Sequence, residues 1–279
     1  MDTIISLKQI QTITKELHKT GKTIGFIPTM GALHDGHLKL VQESKAKNDV
    51  TIVSIFVNPA QFSPTEDLAK YPRPFEHDKK LLAKEKVDYL FYPDPKTMYP
   101  NGFQTFVTPT ELSNVLEGKI RPNHFTGVAT VVLKLFNLIK PTNSYFGQKD
   151  FQQSVVIKQM IRDLNLPIAI NIVPTVRDKD GLALSSRNIF LNPQERVQAL
   201  GLYQSLLLGK KLILEGNKNV LTIKTRMKDY LKINKLVRLD YIEICDQENL
   251  STFQVVPKKA VVLIAAYVGK TRLIDNLII

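Results

Sequence analysis

Apolar positions along the chain follow two periods, and stretches with one period alternate with stretches of the other. Short apolar runs that end at turn residues are typical of buried strands, whereas an apolar residue at every third or fourth position is typical of an amphipathic helix. Residues 1–23 have the helical period. Further along, the pattern predicts strands at 23–27, 50–57, 87–92, 144–146 and 168–173, and helices at 38–47, 75–86, 127–139 and 151–164.

This alternation of strands and helices predicts an α/β fold, a Rossmann-like doubly wound parallel sheet. In such sheets, ligands bind at the carboxyl ends of the strands. Polar segments follow the predicted strands at four such points, after Ile27, Val57, Phe146 and Val173. The pattern therefore predicts that a ligand-binding site is formed by some of these four segments.

The pattern changes after Arg177. Two long helices are predicted at 193–215 and 220–233, followed by strands at 239–245, 260–268 and 271–277. We expect two domains: residues 1–176 would form the Rossmann-like domain. Residues 177–279 would form a smaller α+β domain that acts as a lid.

The composition favours an ordinary soluble protein, with 43% hydrophobic and 23% charged residues among 279. The first residues lack the apolar core of a signal peptide, and no segment has the run of about 20 apolar residues that spans a membrane. Cys245 is the only cysteine, which excludes an internal disulfide framework and favours the cytoplasm. Its strand-like surroundings predict a core residue rather than a nucleophile.

The net charge of +12 favours an anionic binding partner or substrate. A basic nucleic-acid-binding module is one interpretation, and its signature would be RNA affinity that falls steeply with salt. However, the lysines are scattered along predicted helix faces rather than clustered with aromatic residues. An anionic small-molecule substrate explains the sign equally well, and we expect no nucleic-acid partner.

The most informative segment is PTMGALHDGH at 28–37, between a predicted strand and a predicted helix. His34 and His37 are three residues apart at a helix start, so they lie on one face. The glycines allow a tight turn close to a ligand, and the N-terminus of a helix favours phosphate. The alternative is a turn with two surface histidines, but the context favours a nucleotide polyphosphate site.

Two other segments place amides and a cation after predicted strands. In NPAQF at 58–62, Gln61 offers a donor and an acceptor for hydroxyls or a carboxylate. In FGQKDFQQ at 146–153, Lys149 lies near a helix start, where the helix dipole disfavours a cation unless an anion binds there. Gln153 is one turn further on and would share a face with Lys149. Solvated loop side chains are the alternative for all three.

The segment LSSRN at 184–188 puts two hydroxyls beside a guanidinium, a combination suited to phosphate oxygens. Its alternative is a helix cap or a polar linker. A fourth segment, RPNHFTGV at 121–128, is a polar turn before an apolar helix and says little by itself.

Six segments together carry a family resemblance: PTMGALHDGH (28–37), NPAQF (58–62), EDLAKYPR (66–73), RPNHFTGV (121–128), FGQKDFQQ (146–153) and PTVRDKDGLALSSRN (174–188). In this order the chain resembles the pantoate–β-alanine ligase (pantothenate synthetase) family, which belongs to the nucleotidyltransferase superfamily with the H-x-G-H motif. The resemblance covers most of residues 22–190, and the last part of the chain has little motif information.

The resemblance implies an ATP-dependent, AMP-forming carbon–nitrogen ligase that joins (R)-pantoate to β-alanine. The pantoate carboxylate would attack the α-phosphorus of ATP to give pantoyl adenylate and diphosphate, and the amine of β-alanine would then displace AMP. Pantoate is already anionic at neutral pH, so the first step needs no protein base. The resemblance also implies a cytoplasmic homodimer.

The resemblance also implies that residues 1–176 form the domain that binds ATP and pantoate, and it implies site residues. His34, His37, Lys149, Ser185, Ser186 and Arg187 would be catalytic, with His37 as proton donor to the leaving diphosphate. Gln61 and Gln153 would bind pantoate, with Gln61 also near β-alanine. The implied ATP-binding set is Met30, Gly31, Ala32, Leu33, His34, Asp35, Gly36, His37, Gly147, Gln148, Lys149, Asp150, Val176, Leu184, Ser185, Ser186 and Arg187.

One departure from the family concerns Mg²⁺. After Tyr-Pro-Arg the family commonly has adjacent acidic residues that help to hold the ion, but here His77 occupies one such position. Asp78, with Glu76 as a weaker candidate, remains as the expected ligand. Because histidine is a poor Mg²⁺ ligand, we expect the ion to rest mainly on ATP phosphates and water.

Within enzymes, the alternative is a nucleotidyltransferase that stops at an adenylylated product. Pantoate-dependent exchange of diphosphate into ATP, followed by amide formation on adding β-alanine, would distinguish the ligase from it.

Overall fold

The computed structural model describes residues 1–63 and 68–279. Glu66 and Asp67, the first two residues of the EDLAKYPR segment that contributes to the family resemblance, lie outside the described residues. The chain forms two compact units, the first made of Met1–Gly147 and Gln152–Val173, and the second of Gln148–Phe151 and Pro174–Ile279. The observed division falls after residue 173 rather than 176, and the short stretch 148–151 belongs to the second unit.

The first unit contains a parallel sheet of six strands within the described ranges, in the order β1-β4-β3-β2-β5-β6. Its strands are β1 (Asp2–Ile4), β2 (Ile24–Thr29), β3 (Val50–Ile55), β4 (Tyr89–Phe91), β5 (Asn143–Gly147) and β6 (Ala169–Val173). Every residue of β3 is buried, as the continuous apolar run predicts for a strand covered on both faces. The doubly wound parallel sheet is thus confirmed.

Helices accompany this sheet: α1 (Leu7–Lys19), α2 (Asp35–Lys47), α3 (Phe75–Lys84), α4 (Pro95–Met98), α5 (Glu117–Ile120), α6 (His124–Ile139) and α7 (Phe151–Asp163). Helix α6 buries most of its residues, which explains its apolar sequence. Ser6 caps α1 by accepting a hydrogen bond from the Gln9 amide. The predicted N-terminal helix was partly wrong, because residues 2–4 form the edge strand β1.

The second unit packs α8 (Pro193–Leu214) and α9 (Val220–Leu231) on an antiparallel sheet of β7 (Val237–Asp246), β8 (Ala260–Val268) and β9 (Thr271–Ile278). This confirms a smaller α+β unit. Cys245 is fully buried, and burial raises the pKa of its thiol to about 12, which agrees with a core residue. No helix in the described part of the chain is both long and apolar enough to cross a membrane.

Candidate active site

The histidine segment of the first unit begins in a strained loop between β2 and α2. Gly31 and Ala32 both have positive φ, at 83° and 51°. The buried Asp78 carboxylate accepts one hydrogen bond from the Ala32 amide and one from the Leu33 amide, both at 2.8 Å. A Cβ atom at Gly31 would lie 3.0 Å from this carboxylate. Both the positive φ and this close approach therefore favour glycine at position 31. Asp78 therefore fixes the turn that leads into the histidines.

The two histidines cap α2 reciprocally. His34 is the N-cap residue, and its Nδ1 accepts a hydrogen bond from the Gly36 amide at 3.1 Å. The His34 amide in turn donates to Nδ1 of His37 at 3.3 Å. The ring centroids lie 4.1 Å apart. The predicted start of this helix at residue 38 was late, because the histidines themselves form its first turn.

This capping decides which tautomer each neutral ring adopts. A ring nitrogen that accepts a backbone N–H cannot carry a proton itself, so the proton of each neutral ring lies on Nε2. Both histidines are half-buried rather than covered. The arrangement thus provides two Nε2–H donors beside the positive end of a helix, which suits the charge that develops on a transferring phosphate.

Gln61 is held by a buried network in the first unit. It ends a short 3₁₀ helix, Pro59–Gln61, and is 7% exposed. Asn58 donates from Nδ2 to Oε1 of Gln61 at 3.0 Å, while Tyr99 donates to Oδ1 of Asn58 at 2.8 Å. Because the Gln61 oxygen is engaged, its Nε2 is the end that can donate, and it lies 3.2 Å from the Met30 sulfur.

The segment that had little meaning in the sequence supports this network. The His124 ring is hydrogen-bonded through Nδ1 to the Gln61 carbonyl oxygen at 2.9 Å, and Asn58 also donates to the Gly127 carbonyl at 3.0 Å. A Cβ on Gly127 would overlap the Ala60 carbonyl group. Helix α6 can approach the Gln61 turn only because this position is glycine. Sequence reasoning missed Asn58, His124 and Gly127 as supports of Gln61.

The two adjacent glutamines of α7 have different surroundings. Gln152 is buried; its Oε1 accepts from the Glu117 amide, and its Nε2 donates to the Leu112 and Val115 carbonyls. Gln153 is only partly buried. The expected shared helix face of Lys149 and Gln153 is wrong, because α7 begins at Phe151 and Lys149 precedes it.

In the second unit, Lys149 sits on a turn that is tied to the last strand. Its side chain is only 16% exposed, with Nζ 3.7 Å from an Asp150 oxygen. Asn276, on β9, donates from Nδ2 to the carbonyl oxygens of Gln148 and Lys149, each at 2.9 Å. Sequence reasoning gave no signal for Asn276.

The LSSRN segment follows a small hairpin in the same unit. The Leu184 amide donates to the Val176 carbonyl at 3.0 Å, which pairs the two sides of the hairpin. Ser185 then caps the 3₁₀ helix Ser186–Phe190, with its Oγ accepting from the Arg187 amide at 3.2 Å. The helix-cap interpretation thus holds for Ser185. Its hydroxyl proton is not used by that cap, so a cap and a phosphate contact are compatible.

Arg177, which begins this hairpin, is anchored to β9. Its guanidinium makes two hydrogen bonds to Asp275, at 2.6 and 2.9 Å, and lies 3.7 Å from the Tyr203 ring centroid. Asp275 is 5% exposed. Such a bidentate, desolvated pair fixes orientation strongly. One end of β9 therefore holds both the Lys149 turn and the hairpin before Ser185.

The expected Mg²⁺ ligands among the described residues are not arranged to hold the ion. Both oxygens of Asp78 accept backbone amides, and burial raises the pKa of this carboxyl group, which disfavours its charged form. Glu76 and His77 lie on the same helix, at positions open to solvent. Within residues 1–63 and 68–279, no three His, Cys, Asp or Glu side chains form a cluster that could ligate a metal.

Comparisons with known proteins show the family of this chain. A family model described as pantoate-beta-alanine ligase matches residues 2–278. The chain is 51% identical to a pantothenate synthetase of Thermotoga neapolitana over all of both chains. It is 52% identical to one of Caldicellulosiruptor saccharolyticus, over 98% of this chain and 97% of that one.

Solved structures give the same result. A pantothenate synthetase from Thermus thermophilus superposes with a TM-score of 0.94 at 41% identity, covering 99% of each chain. A pantoate-beta-alanine ligase from Francisella tularensis, complexed with beta-gamma ATP and beta-alanine, gives 0.81 at 38% identity, covering 100% of this chain and 97% of that one. The family model, the relatives and the fold agree over nearly the whole length, and the chain belongs to the pantoate–β-alanine ligase family.

Proposed function

We propose that this protein condenses (R)-pantoate with β-alanine in an ATP-dependent reaction, releasing AMP and diphosphate. The observation that carries the proposal is the pair of reciprocally capped histidines, His34 and His37, in a chain of this family. Each neutral ring carries an Nε2–H donor at a helix start, a combination that favours an anion such as a triphosphate.

In the first step, a pantoate carboxylate oxygen forms a bond to the α-phosphorus of ATP. The bond from that phosphorus to the bridging oxygen breaks, and diphosphate leaves with its electron pair. Because the carboxylate is already ionised, the protein has only to align the reactants and neutralise charge on the phosphate oxygens. His34 and His37 donate hydrogen bonds from Nε2 to the oxygens of the leaving diphosphate. Full proton transfer from His37, as the family resemblance implies, requires that its Nδ1 release the His34 amide and carry a proton, so that the ring is left neutral after the transfer.

Gln61 and Gln153 hold pantoate in this proposal. The network around Asn58 supports the assignment for Gln61, because it engages the amide oxygen. The amide nitrogen has two hydrogens, so it can contact the Met30 sulfur with one and a carboxylate or hydroxyl oxygen with the other. The partly buried position of Gln153 on α7 is compatible with the same task.

The second unit supplies cationic and hydroxyl groups to the nucleotide. We assign Lys149 to the phosphates as a fixed charge, and Ser185, Ser186 and Arg187 as hydrogen-bond donors. The remaining ATP contacts come from the loop and turn segments named above at 30–37, 147–150, 176 and 184. The lid function of residues 177–279 stays a prediction.

In the second step, the neutral amine of β-alanine attacks the acyl carbon of pantoyl adenylate. The C–O bond to AMP breaks, and the amine loses a proton as the amide forms. Mg²⁺ enters with ATP as part of the substrate, held by phosphate oxygens and water rather than by Asp78. We also propose a cytoplasmic homodimer without a nucleic-acid partner.

The test is an AMP-release assay with ATP, pantoate and β-alanine, each omitted in turn. The proposal expects AMP only when all three are present, and pantoate-dependent exchange of labelled diphosphate into ATP without β-alanine. Exchange without any amide product after adding β-alanine would instead make the protein a plain nucleotidyltransferase. No exchange and no AMP would reject both functions.

A further inference from the structure

The turn that carries Lys149 is held by a residue near the far end of the chain. Asn276 is 1% exposed on β9, and each polar atom of its side chain is used. Nδ2 donates to the carbonyl oxygens of Gln148 and Lys149, both at 2.9 Å, and Oδ1 accepts from Nε2 of Gln148 at 3.1 Å. Only the amide orientation with nitrogen toward the two carbonyls satisfies this set.

Two consecutive carbonyls held on one side have a direct consequence for the backbone. In a planar trans peptide, the C=O and the following N–H point in opposite directions. With the carbonyls of Gln148 and Lys149 turned to Asn276, the N–H groups of Lys149 and Asp150 point away from it. Consecutive N–H groups with a common direction form a concave surface that favours anions.

Asn276 is itself held in place by its neighbours. Its backbone N–H donates to an Asp275 oxygen at 2.8 Å, and its carbonyl lies 3.4 Å from a guanidinium nitrogen of Arg177. Arg177 is bound to Asp275 by two further hydrogen bonds. The Lys149 turn thus shares a rigid anchor with the hairpin that precedes the LSSRN segment.

We propose that Asn276 is a positioning residue for adenylate formation, which acts by holding the Gln148–Lys149 turn so that its cation and N–H groups face the nucleotide phosphates. This inference rests on the proposed function of Lys149. Asn276 touches no substrate in this account; it acts only through the turn.

The sharpest variant is Asn276→Asp, which keeps the shape but removes both donors and places a carboxylate oxygen against two carbonyl oxygens. Asn276→Ala removes the donors without that repulsion. A matched control is Asn219→Asp in the same unit, because the Asn219 side chain caps α9 as an acceptor from Thr222, a role that aspartate fills equally well.

The measurement is pantoate-dependent diphosphate exchange, with KM for ATP, KM for pantoate and kcat, alongside thermal unfolding. We expect Asn276→Asp to lower kcat/KM for ATP on the order of 10- to 100-fold, as for a misplaced reacting group, with little change in KM for pantoate. Asn219→Asp should match the unaltered protein.

A double variant tests whether Asn276 acts through Lys149. If it does, Asn276→Asp should cost less in the Lys149→Ala background than in the unaltered protein, because only the N–H groups of the turn then remain to be misplaced. Losses that multiply in the double variant, or a normal Asn276→Asp enzyme beside an impaired Lys149→Ala enzyme, would overturn the inference. So would failure of both Asn276 variants to fold, since Asn276 would then be a structural residue of β9. A normal Lys149→Ala enzyme would instead reject the proposed function of Lys149.

Discussion

The segments of the two units that we propose bind phosphate are built in different ways. In the first unit, ten consecutive residues contain the turn, the helix start and both histidines, and the Asp78 carboxylate supports them from elsewhere in the chain. In the second unit, the Lys149 turn, the hairpin before Ser185 and the end of β9 are far apart in the chain and meet only in the folded unit. The first group is specified mainly by local sequence, and the second mainly by tertiary packing.

The comparison predicts the largest loss where the local histidine pair is broken. His34→Ala and His37→Ala should each slow adenylate formation by about 10²-fold or more, the typical effect of losing a donor to a developing charge. Pantoate-dependent diphosphate exchange measures this step. His18→Ala is the matched control, since His18 lies on α1 and contacts the Lys140 carbonyl. Near-normal exchange in both site variants would show that neither histidine takes part in the reaction.

The next largest effects should come from the second unit. Lys149→Ala, Ser186→Ala and Arg187→Ala should slow adenylate formation, and the two charged residues should cost about 1.5–3 kcal/mol each, the usual range for hydrogen bonds to charged groups. Arg187→Ala should also lose some adenylate to water, because an incompletely closed site admits it.

Single-turnover mixtures can detect that leak as diphosphate released per pantothenate formed. We expect a ratio above one for Arg187→Ala and a ratio of one for the unaltered protein. Unchanged rates and a one-to-one ratio in all three variants would leave the LSSRN segment as a linker only.

The sequence predicts the locally encoded histidine segment better than the segments of the second unit, which meet only through tertiary packing. Local signals sufficed to place His34 and His37 together at a helix start, because the strand end, the glycine and the helix start are adjacent in the sequence. They could not reveal Asn276, whose partners lie 127 and 128 positions away, nor the support that Gly127 gives to Gln61. The sheet and most helices were predictable from periodicity, but strand β1 was not, because three residues carry too little pattern.

Substitutions at three glutamines should distinguish residues that bind pantoate from residues that only stabilise the fold. Gln153→Ala and Gln61→Ala should weaken pantoate use by about 1–3 kcal/mol, since each leaves a polar group of the substrate unpaired, while KM for ATP stays nearly unchanged. Gln152→Ala should instead lower thermal stability, because it removes three hydrogen bonds to residues 112–117. A collapse of ATP affinity in the Gln61 and Gln153 variants would reverse the assignment.

A smaller effect is expected at Asp78, the distant support of the histidine segment. Asp78→Asn would set an amide NH₂ against a backbone N–H and loosen the Gly31–Leu33 turn, lowering kcat about tenfold. The dependence on Mg²⁺ concentration should stay the same, because the carboxylate acts on the backbone. Glu76→Gln, a neighbour on α3 whose side chain is open to solvent, serves as control. A Mg²⁺ requirement shifted to higher concentration in Asp78→Asn would restore Asp78 as a metal ligand.

The central claim is that pantoate is activated by bonding its own carboxylate oxygen to the α-phosphorus of ATP. The most direct test uses pantoate labelled with ¹⁸O in the carboxylate, with ATP and β-alanine. The account predicts one labelled oxygen in each AMP and one in each pantothenate, because the C–O bond to AMP breaks when the amine attacks. Unlabelled AMP, with the label only in pantothenate or in phosphate, would contradict it.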